Sequence, residues 1–266
     1  MKKKIVFFDI DGTMMDVPAG MCKPLPSTVR ALEQLKLNGH YSVVATARAK
    51  MPTAFLKLNF DGFIFCNGHY IEFQDKLIYD DYFKEGQIKY LIDLFNQYEG
   101  QYIFSGHFGT WSSGLTHPLV IRHKELFAGA PDDISDKMGD WNIKDVHANI
   151  ITALFKTEKQ LFDCKEQLPS DWVIDAYTTG NIRMDIHLSG YTKGKAVRFL
   201  SEKLGIDFED TFAFGDACND IEMIKMVKYG IAMGNGTKEI KKIAFDVTDD
   251  VSNDGIYNAL IKYKAI

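Results

Sequence analysis

The chain has 266 residues, 46% of them apolar, and a formal net charge of −5 at pH 7. This size allows one large domain or a core with a second module, and the weak negative charge disfavours nucleic acid and anionic membranes as partners. No apolar run reaches the roughly 20 residues of a membrane span, and the N-terminal run is too short for a signal peptide. Scattered cysteines predict reduced thiols, no zinc site and a cytoplasmic location: Cys22, Cys66, Cys164 and Cys218.

The first predicted strand is the apolar run from Ile5 to Phe8, which ends in two acids, Asp9 and Asp11. A buried strand of a parallel sheet has this composition, and ligands of open α/β sheets bind beyond the carboxyl ends of the strands. Gly12 permits a sharp turn after the acids, and Thr13 adds a hydroxyl that can bond to a carboxylate or a phosphate. The same residues are also compatible with an ordinary Asp-Gly turn that has no function.

Strands and helices alternate after this point, which predicts a parallel sheet. A helix is predicted to begin at Pro26 and to end at Asn38-Gly39. Polar residues again follow the ends of the next two strands. Those strands are Tyr41 to Ala45, followed by Thr46-Ala47-Arg48, and Gly62 to Cys66, followed by Asn67-Gly68. A small antiparallel pair then turns at Gln74-Asp75.

The pattern changes near Asp81, where an independent α+β module is predicted to interrupt the first domain. Its predicted elements are helices over Lys84–Tyr98 and Glu158–Leu168, strands over Gln101–Phe104, His147–Phe155 and Trp172–Tyr177, and a polar stretch over 129–141. The predicted division is residues 1–81 plus 186–266 for the core and 82–185 for the insert. His107, Phe108 and Trp111 are more typical of packing within the insert than of a pocket.

The α/β pattern returns after the insert. Thr192 is a predicted cap for a helix that runs to Leu204, and the apolar strand Thr211 to Phe214 ends in Gly215-Asp216-Ala217-Cys218-Asn219-Asp220. A further strand, Tyr229 to Met233, is followed by Gly234-Asn235-Gly236. A closing helix is predicted over Gly255–Lys262.

Two acid-bearing turns therefore follow apolar strands, one at Asp9 and Asp11 and one at Asp216 and Asp220. In one parallel sheet these carboxylates would lie at the same edge and repel each other, and a divalent cation would relieve the repulsion. Oxygen ligands of this kind favour Mg²⁺, which keeps waters that a phosphate can displace. Taken separately, Asp216 and Asp220 are equally consistent with acids that complement the N-terminus of a helix.

A phosphate at this edge would also need positive charge and hydrogen-bond donors. Lys193 lies at the predicted start of a helix, where unpaired N–H groups also favour anions, and Gly194 allows close approach. Thr46 can donate a hydroxyl hydrogen bond. Each of these residues, like Arg48, is on its own better explained as an ordinary surface or turn residue, so the argument depends on their combination.

The four motifs together resemble those of the haloacid dehalogenase superfamily. Asp9-Ile10-Asp11-Gly12-Thr13 resembles its first motif, Thr46-Ala47-Arg48 its second, Lys193-Gly194 its third, and Gly215-Asp216-x-x-Asn219-Asp220 its fourth. Their order, and the insert between the second and third, resemble the Cof-type phosphatases, which have an α+β cap of type II there. The resemblance implies an α/β fold: a Rossmann-like, doubly wound parallel sheet core with an inserted α+β cap domain that determines substrate specificity.

The resemblance also implies roles for residues of this chain. Asp9 would be the nucleophile and Asp11 the general acid and base, and Mg²⁺ would be bound by Asp9, the backbone carbonyl of Asp11, and Asp216. The residues expected around the phosphate are Gly12, Thr46, Lys193 and Asn219, with Arg48, Asn67 and Asp220 supporting them. Arg183 and Asp185 are candidate substrate contacts of the cap, although a surface ion pair between them is the slightly favoured alternative.

Two segments depart from the family pattern. Family members often have Thr-Gly-Arg where this chain has Thr46-Ala47-Arg48, which keeps the hydroxyl and stiffens the loop. Before the third motif, Met184-Asp185-Ile186 stands where Leu-Glu-Ile is usual, and Leu188 stands in place of a proline. These departures concern the orientation of the cap and its substrate contacts rather than the chemistry.

The sequence thus predicts a magnesium-dependent phosphatase that acts on a small phosphorylated metabolite, with sugar phosphates first by family analogy. A phosphomutase or another phosphoryl transferase would use the same residues. A non-catalytic sensor of phosphorylated ligands is a further alternative, although such a sensor gains nothing from a nucleophile. The sequence leaves the oligomeric state and the physiological substrate open.

Overall fold

The structure is a computed structural model that describes residues 2–126 and 141–266. Its strands are β1 (Ile5–Phe8), β2 (Tyr41–Ala45), β3 (Gly62–Phe65), β4 (Tyr70–Phe73), β5 (Lys76–Asp80), β6 (Gln101–Gly106), β7 (Gly109–Ser112), β8 (Ile150–Leu154), β9 (Val173–Tyr177), β10 (Arg183–His187), β11 (Thr211–Gly215), β12 (Tyr229–Ala232) and β13 (Asp246–Val247). Its helices are α1 (Pro26–Leu37), α2 (Glu85–Gln97), α3 (Pro118–Leu126), α4 (Glu158–Lys165), α5 (Lys193–Lys203), α6 (Ile221–Lys225), α7 (Lys238–Ile243) and α8 (Gly255–Lys262).

The chain divides into two compact units, Met1–Tyr79 with Tyr191–Ile266, and Asp80–Gly190. For comparison, the sequence-based expectation for the insert was 82–185. The polar stretch expected over 129–141 lies almost wholly outside the described residues. None of the described helices has both the length and the apolar character that crossing a membrane requires.

The first unit is built on a sheet of order β13-β12-β11-β1-β2-β3-β4-β5. Strands β13 to β3 in this order are parallel, and β4 pairs antiparallel with β3. Side chains of β1 alternate between two cores: Val6 and Phe8 pack with α1 and α8, whereas Ile5 and Phe7 pack with α5, α6 and α7. Because helices cover both faces, β1 is apolar throughout, as a buried parallel strand must be. The predicted fold class, a doubly wound α/β core with a separate α+β module, is confirmed.

Strand β1 lies at the position where the order of strands in the sheet reverses: β2 and β3 follow on one side, and β11 to β13 on the other. It pairs in parallel with β2 on one side and with β11 on the other, although β11 follows it by some two hundred residues. Ligands of doubly wound sheets bind at such a switch point, beyond the carboxyl ends of the strands. The residues after β1 and β11 are those that the sequence analysis selected.

The second unit is an antiparallel sheet of order β7-β6-β8-β10-β9. One face is apolar and packs against α2 and α4, whose buried residues include Ile88, Leu91 and Leu161. On the other face Ile103 and Leu154 contact Val120 of α3. The sequence analysis did not predict α3 or β7. Each is short, and α3 places few apolar residues against the sheet, so its pattern alone is weak.

Candidate active site

The candidate site begins with Asp9, which directly follows the buried strand β1. Its N–H donates to the carbonyl oxygen of Phe214 at 3.0 Å, so the backbone is still fixed to β11 at this residue. The residue is buried. Its Oδ1 accepts a hydrogen bond from Lys193, and Oδ2 has no hydrogen-bond partner among the described residues. One oxygen is therefore anchored and the other is available as a nucleophile.

Lys193 lies between two carboxylates. Its Nζ is 2.6 Å from Asp9 Oδ1 and 2.7 Å from Asp220 Oδ1, and its side chain is fully buried. The lysine is the first residue of α5, and the Thr192 side chain caps this helix by accepting from the N–H of Lys195, as the sequence predicted. Burial alone would lower the pKa of Lys193, but the charges of Asp220 and Asp9 outweigh it and raise the pKa, so the lysine stays charged.

Asp220 orders the second acid-bearing turn. While Oδ1 accepts from Lys193, Oδ2 accepts from the N–H groups of Asp216 and Ala217 at 3.0 and 3.2 Å. Asp220 is fully buried. The alternative of an acid that merely complements a helix N-terminus is therefore insufficient, because this carboxylate joins the lysine to the loop that bears Asp216.

Asp216 faces the turn after β1. Its Oδ1 accepts from the Thr13 hydroxyl at 3.1 Å. Gly12 has a φ of +77°, and a Cβ on it would lie 2.2 Å from Asp216 Oδ2, so only glycine allows this approach. Burial, and after it the charge of Asp220, raises the pKa of Asp216 to about 7.

Three carboxylates of this site fit a divalent cation. Asp9, Asp216 and Asp220 each offer an oxygen, and these oxygens all lie within 4.8 Å of one another. Burial, and then the charge of Asp220, raises the pKa of Asp9 well above its ordinary value despite Lys193. Because one lysine does not neutralise three clustered carboxylates, two of them buried, a hard cation would relieve the excess negative charge. Asp220 already uses both oxygens, which leaves Asp9 and Asp216 as the side chains suited to the metal.

Asp11 is paired with Arg48. The pair is bidentate, with Nε 2.7 Å from Oδ2 and Nη2 2.6 Å from Oδ1. Both oxygens of Asp11 therefore accept a hydrogen bond from Arg48, although the side chain of Asp11 is half exposed. The sequence analysis placed Arg48 in a supporting position but did not predict this partner.

The loops after β2 and β3 are joined at Thr46. Its hydroxyl accepts from the N–H of Arg48 at 3.2 Å, and its carbonyl accepts from the N–H of Asn67 at 3.1 Å. The N–H of Cys66 donates to the Arg48 carbonyl. Asn67 has a φ of +54°, a conformation that asparagine adopts more readily than most residues. Thr46 is buried, whereas Asn219 is exposed in the turn before α6.

The candidate residues of the second unit form a pair on β10. Arg183 Nε lies 3.6 Å from Asp185 Oδ2, and the Thr152 hydroxyl donates to Asp185 Oδ1 at 2.7 Å. Arg183 also stacks on the Tyr177 ring at 3.9 Å. Both charged side chains are more than four-fifths buried, so they are paired but not simply on the surface. Trp111 packs in the apolar core of this unit.

The sequence analysis noted Asn235 only as part of a glycine turn. In the structure its side-chain Nδ2 donates to the carbonyl oxygen of Gly12 at 2.7 Å. Its position at the carboxyl end of β12 was the available signal, because that end lies at the same edge of the sheet as Asp9 and Asp216.

Known proteins share this fold and these motifs. A family model described as haloacid dehalogenase-like hydrolase matches residues 6–260. The chain is 28% identical to YkrA of Bacillus subtilis, which is provisionally named a phosphatase, over 98% of this chain and 97% of that protein. It is 25% identical to 5-amino-6-(5-phospho-D-ribitylamino)uracil phosphatase YcsE of the same species, over 97% of this chain and 94% of that protein. The solved structure of the sugar phosphatase BT4131, of haloacid dehalogenase subclass IIB, superposes with a TM-score of 0.80 at 25% identity, covering 99% of this chain and all of that one.

The chain belongs to the haloacid dehalogenase-like hydrolases, in the Cof-type branch that the sequence resembled. Within that superfamily it is an enzyme of the phosphatase type, a phosphoric monoester hydrolase.

Proposed function

We propose that the protein is a magnesium-dependent phosphatase that hydrolyses small phosphorylated metabolites, sugar phosphates foremost, through an aspartyl-phosphate on Asp9. The observation that supports this most is the anchoring of Asp9 by the buried Lys193 at 2.6 Å, with the second oxygen of Asp9 left available. A carboxylate held in this way is oriented for attack and sits beside a fixed positive charge.

In the proposed first step Asp9 Oδ2 attacks phosphorus and the bond from phosphorus to the leaving oxygen breaks. Asp11, which takes up a proton from solvent when its pair with Arg48 opens, donates that proton to the leaving oxygen. In the second step Asp11 removes a proton from water, the water attacks phosphorus, and inorganic phosphate leaves while Asp9 is regenerated. Lys193 and Thr46 would hold the phosphoryl oxygens. Magnesium, held by Asp9, the Asp11 carbonyl and Asp216, would supply charge stabilisation for the transferred group.

We propose sugar phosphates because two of the similar proteins have names that state a substrate. BT4131 is named a sugar phosphatase, and the substrate in the name of YcsE is a phosphorylated ribityl chain. A sugar phosphate and this ribityl phosphate are both phosphate monoesters of polyhydroxylated carbon chains. We propose that the insert, residues 82–185, determines specificity as a cap, with Arg183 and Asp185 as its candidate contacts to substrate hydroxyls.

The test is phosphate release from a panel of monoesters, including hexose, pentose and pentitol phosphates, a nucleotide and p-nitrophenyl phosphate, with Mg²⁺ or with EDTA. Wild type is compared with Asp9→Asn and with Asp75→Asn, a control in the exposed turn between β4 and β5. Release that requires Mg²⁺ and is lost only in Asp9→Asn supports the proposal. A phosphoprotein that is sensitive to hydroxylamine and absent from Asp9→Asn would identify the aspartyl-phosphate.

Two outcomes would contradict the proposal. Transfer of phosphate to a second substrate hydroxyl rather than to water, seen by ³¹P NMR, would indicate a phosphomutase or another phosphoryl transferase. Binding of phosphorylated ligands with no turnover in any divalent metal would indicate a sensor.

A further inference from the structure

The turn Gly234–Thr237, between β12 and α7, contacts both acid-bearing loops of the site. On one side the Asn235 amide donates to the carbonyl oxygen of Gly12 at 2.7 Å. On the other side the N–H of Thr237 donates to the carbonyl oxygen of Asp216 at 2.8 Å. One short segment thus connects the loop after β1 to the loop after β11.

The contact with Asp216 is close because Gly236 has no side chain. A Cβ on Gly236 would lie 3.0 Å from the Asp216 carbonyl oxygen and 3.2 Å from its Cα. Contacts this short are rare for a real Cβ, so a larger residue would separate the turn from the loop. The backbone of the turn is thereby packed directly against the Asp216 loop.

Asn235 uses both ends of its amide although the residue is exposed. Nδ2 donates to Gly12, and Oδ1 accepts from the N–H of Val251 at 2.9 Å. A further hydrogen bond holds the turn, since the N–H of Gly234 donates to the Asp249 carbonyl at 3.0 Å. Lys241 also donates its Nζ to the carbonyl of Gly234. Asn235 therefore connects the Gly12 carbonyl to a turn that is itself hydrogen-bonded to the backbone of Asp249 and Val251.

We infer that Asn235 is a positioning residue of the phosphatase site, which fixes the separation between the Asp11-Gly12 turn and Asp216. The inference rests on the proposed function, because these are the two loops proposed to bind magnesium. The neutral amide satisfies both neighbours, since the Gly12 carbonyl needs a donor and the Val251 N–H needs an acceptor. Residues that orient metal ligands in this way typically change metal affinity by about 10–100-fold when they are substituted.

The test uses Asn235→Leu, which has nearly the same shape and removes the hydrogen bonds to Gly12 and Val251 without adding a charge. The matched control is Asn38→Leu at the end of α1, whose amide accepts from Gln34, donates to the carbonyl of Ala265 and contacts neither acid-bearing loop. Mg²⁺ binding to the substrate-free proteins is measured by calorimetry at pH 8, and kcat and KM are measured with p-nitrophenyl phosphate at saturating Mg²⁺.

We expect Asn235→Leu to weaken Mg²⁺ binding by about tenfold or more and to lower kcat, while Asn38→Leu changes either quantity by less than about twofold. Unfolding in urea of both variants would show whether a change in affinity merely follows lost stability. Equal Mg²⁺ affinities and equal kcat values for Asn235→Leu and wild type would overturn the inference, as would equal losses in the two variants. If wild type itself binds no Mg²⁺, the proposed metal fails, and kcat of Asn235→Leu relative to Asn38→Leu still decides whether Asn235 positions the site.

Discussion

Replacing Asp216 with asparagine is expected to stabilise the metal-free protein while it abolishes phosphatase activity. Burial raises the pKa of this carboxyl from 3.8 to about 7, with Asp220 the next cause. At pH 8 the folded state therefore contains a carboxylate that folding disfavours, and a pKa difference of this size corresponds to about 4 kcal/mol. Since Asp216 keeps some exposure and the Thr13 hydrogen bond partly compensates, we expect a gain of about 2–3 kcal/mol for Asp216→Asn.

The pH dependence of this effect has a defined sign. Because the pKa is raised in the folded state, folded Asp216 binds a proton between about pH 4 and about pH 7 that the unfolded chain does not bind. The contribution of Asp216 to wild-type stability therefore falls as pH rises through this window and is constant above it. The difference between Asp216→Asn and wild type should be largest above pH 7 and should nearly vanish near pH 4.

The measurement is urea unfolding in EDTA at pH 5 and pH 8, with Asp220→Asn as the matched control. The control substitution has the same chemistry four positions away but the opposite expected sign, because it removes a partner of the fully buried Lys193. Loss of one member of a buried ion pair costs about 3–5 kcal/mol. The reasoning is refuted if Asp216→Asn is less stable than wild type at pH 8, or if its effect is the same at pH 5 as at pH 8.

Three further outcomes follow from the same site. Gly12→Ala should lose Mg²⁺ binding and activity. The control Gly20→Ala should lose only about 1–2 kcal/mol of stability, because Gly20 has a φ of +78° but open space where its Cβ would lie. Equal Mg²⁺ affinities of the two variants in calorimetry would contradict this prediction. Lys193→Met should lower the free energy of unfolding in urea by about 3–5 kcal/mol and abolish turnover, because Asp9 loses its buried cation; a loss below about 1 kcal/mol would refute the role of the pair. Mg²⁺ should raise Tm more at pH 8 than at pH 5, since Asp216 is ionised only at the higher pH; a larger rise at pH 5 would exclude it as a ligand.

Local patterns predicted much of the fold correctly. The apolar run before Asp9 is β1, and the strand before Asp216 is β11. The turn at Gln74-Asp75 is confirmed, with positive φ at both residues, and so is the capping of α5 by Thr192. These features depend on contacts between near neighbours or on burial on both faces, which leave a clear pattern in the sequence.

The elements that were missed lack such a pattern. α3 contributes little more than Leu119 and Val120 to a small apolar cluster, so helical periodicity is weak there. β7 consists of Gly109 to Ser112, and its glycine and small polar residues resemble a loop. Its pairing with β6 exists because the neighbouring strand supplies hydrogen bonds, which no local propensity encodes.

The sequence by itself determined which groups lie at the carboxyl ends of the strands, because strand periodicity and glycine turns are local properties. The tertiary structure alone decided how those groups pair. Lys193 reaches Asp9 across 184 positions, Asn235 reaches Gly12 across 223, and Arg48 reaches Asp11 across 37. Such partners are set by the order of parallel strands in the sheet, since strands distant in the chain end side by side. That order also brings three carboxylates together beside one lysine, which contacts only two of them, and the resulting excess of negative charge is the physical basis of the proposed metal site.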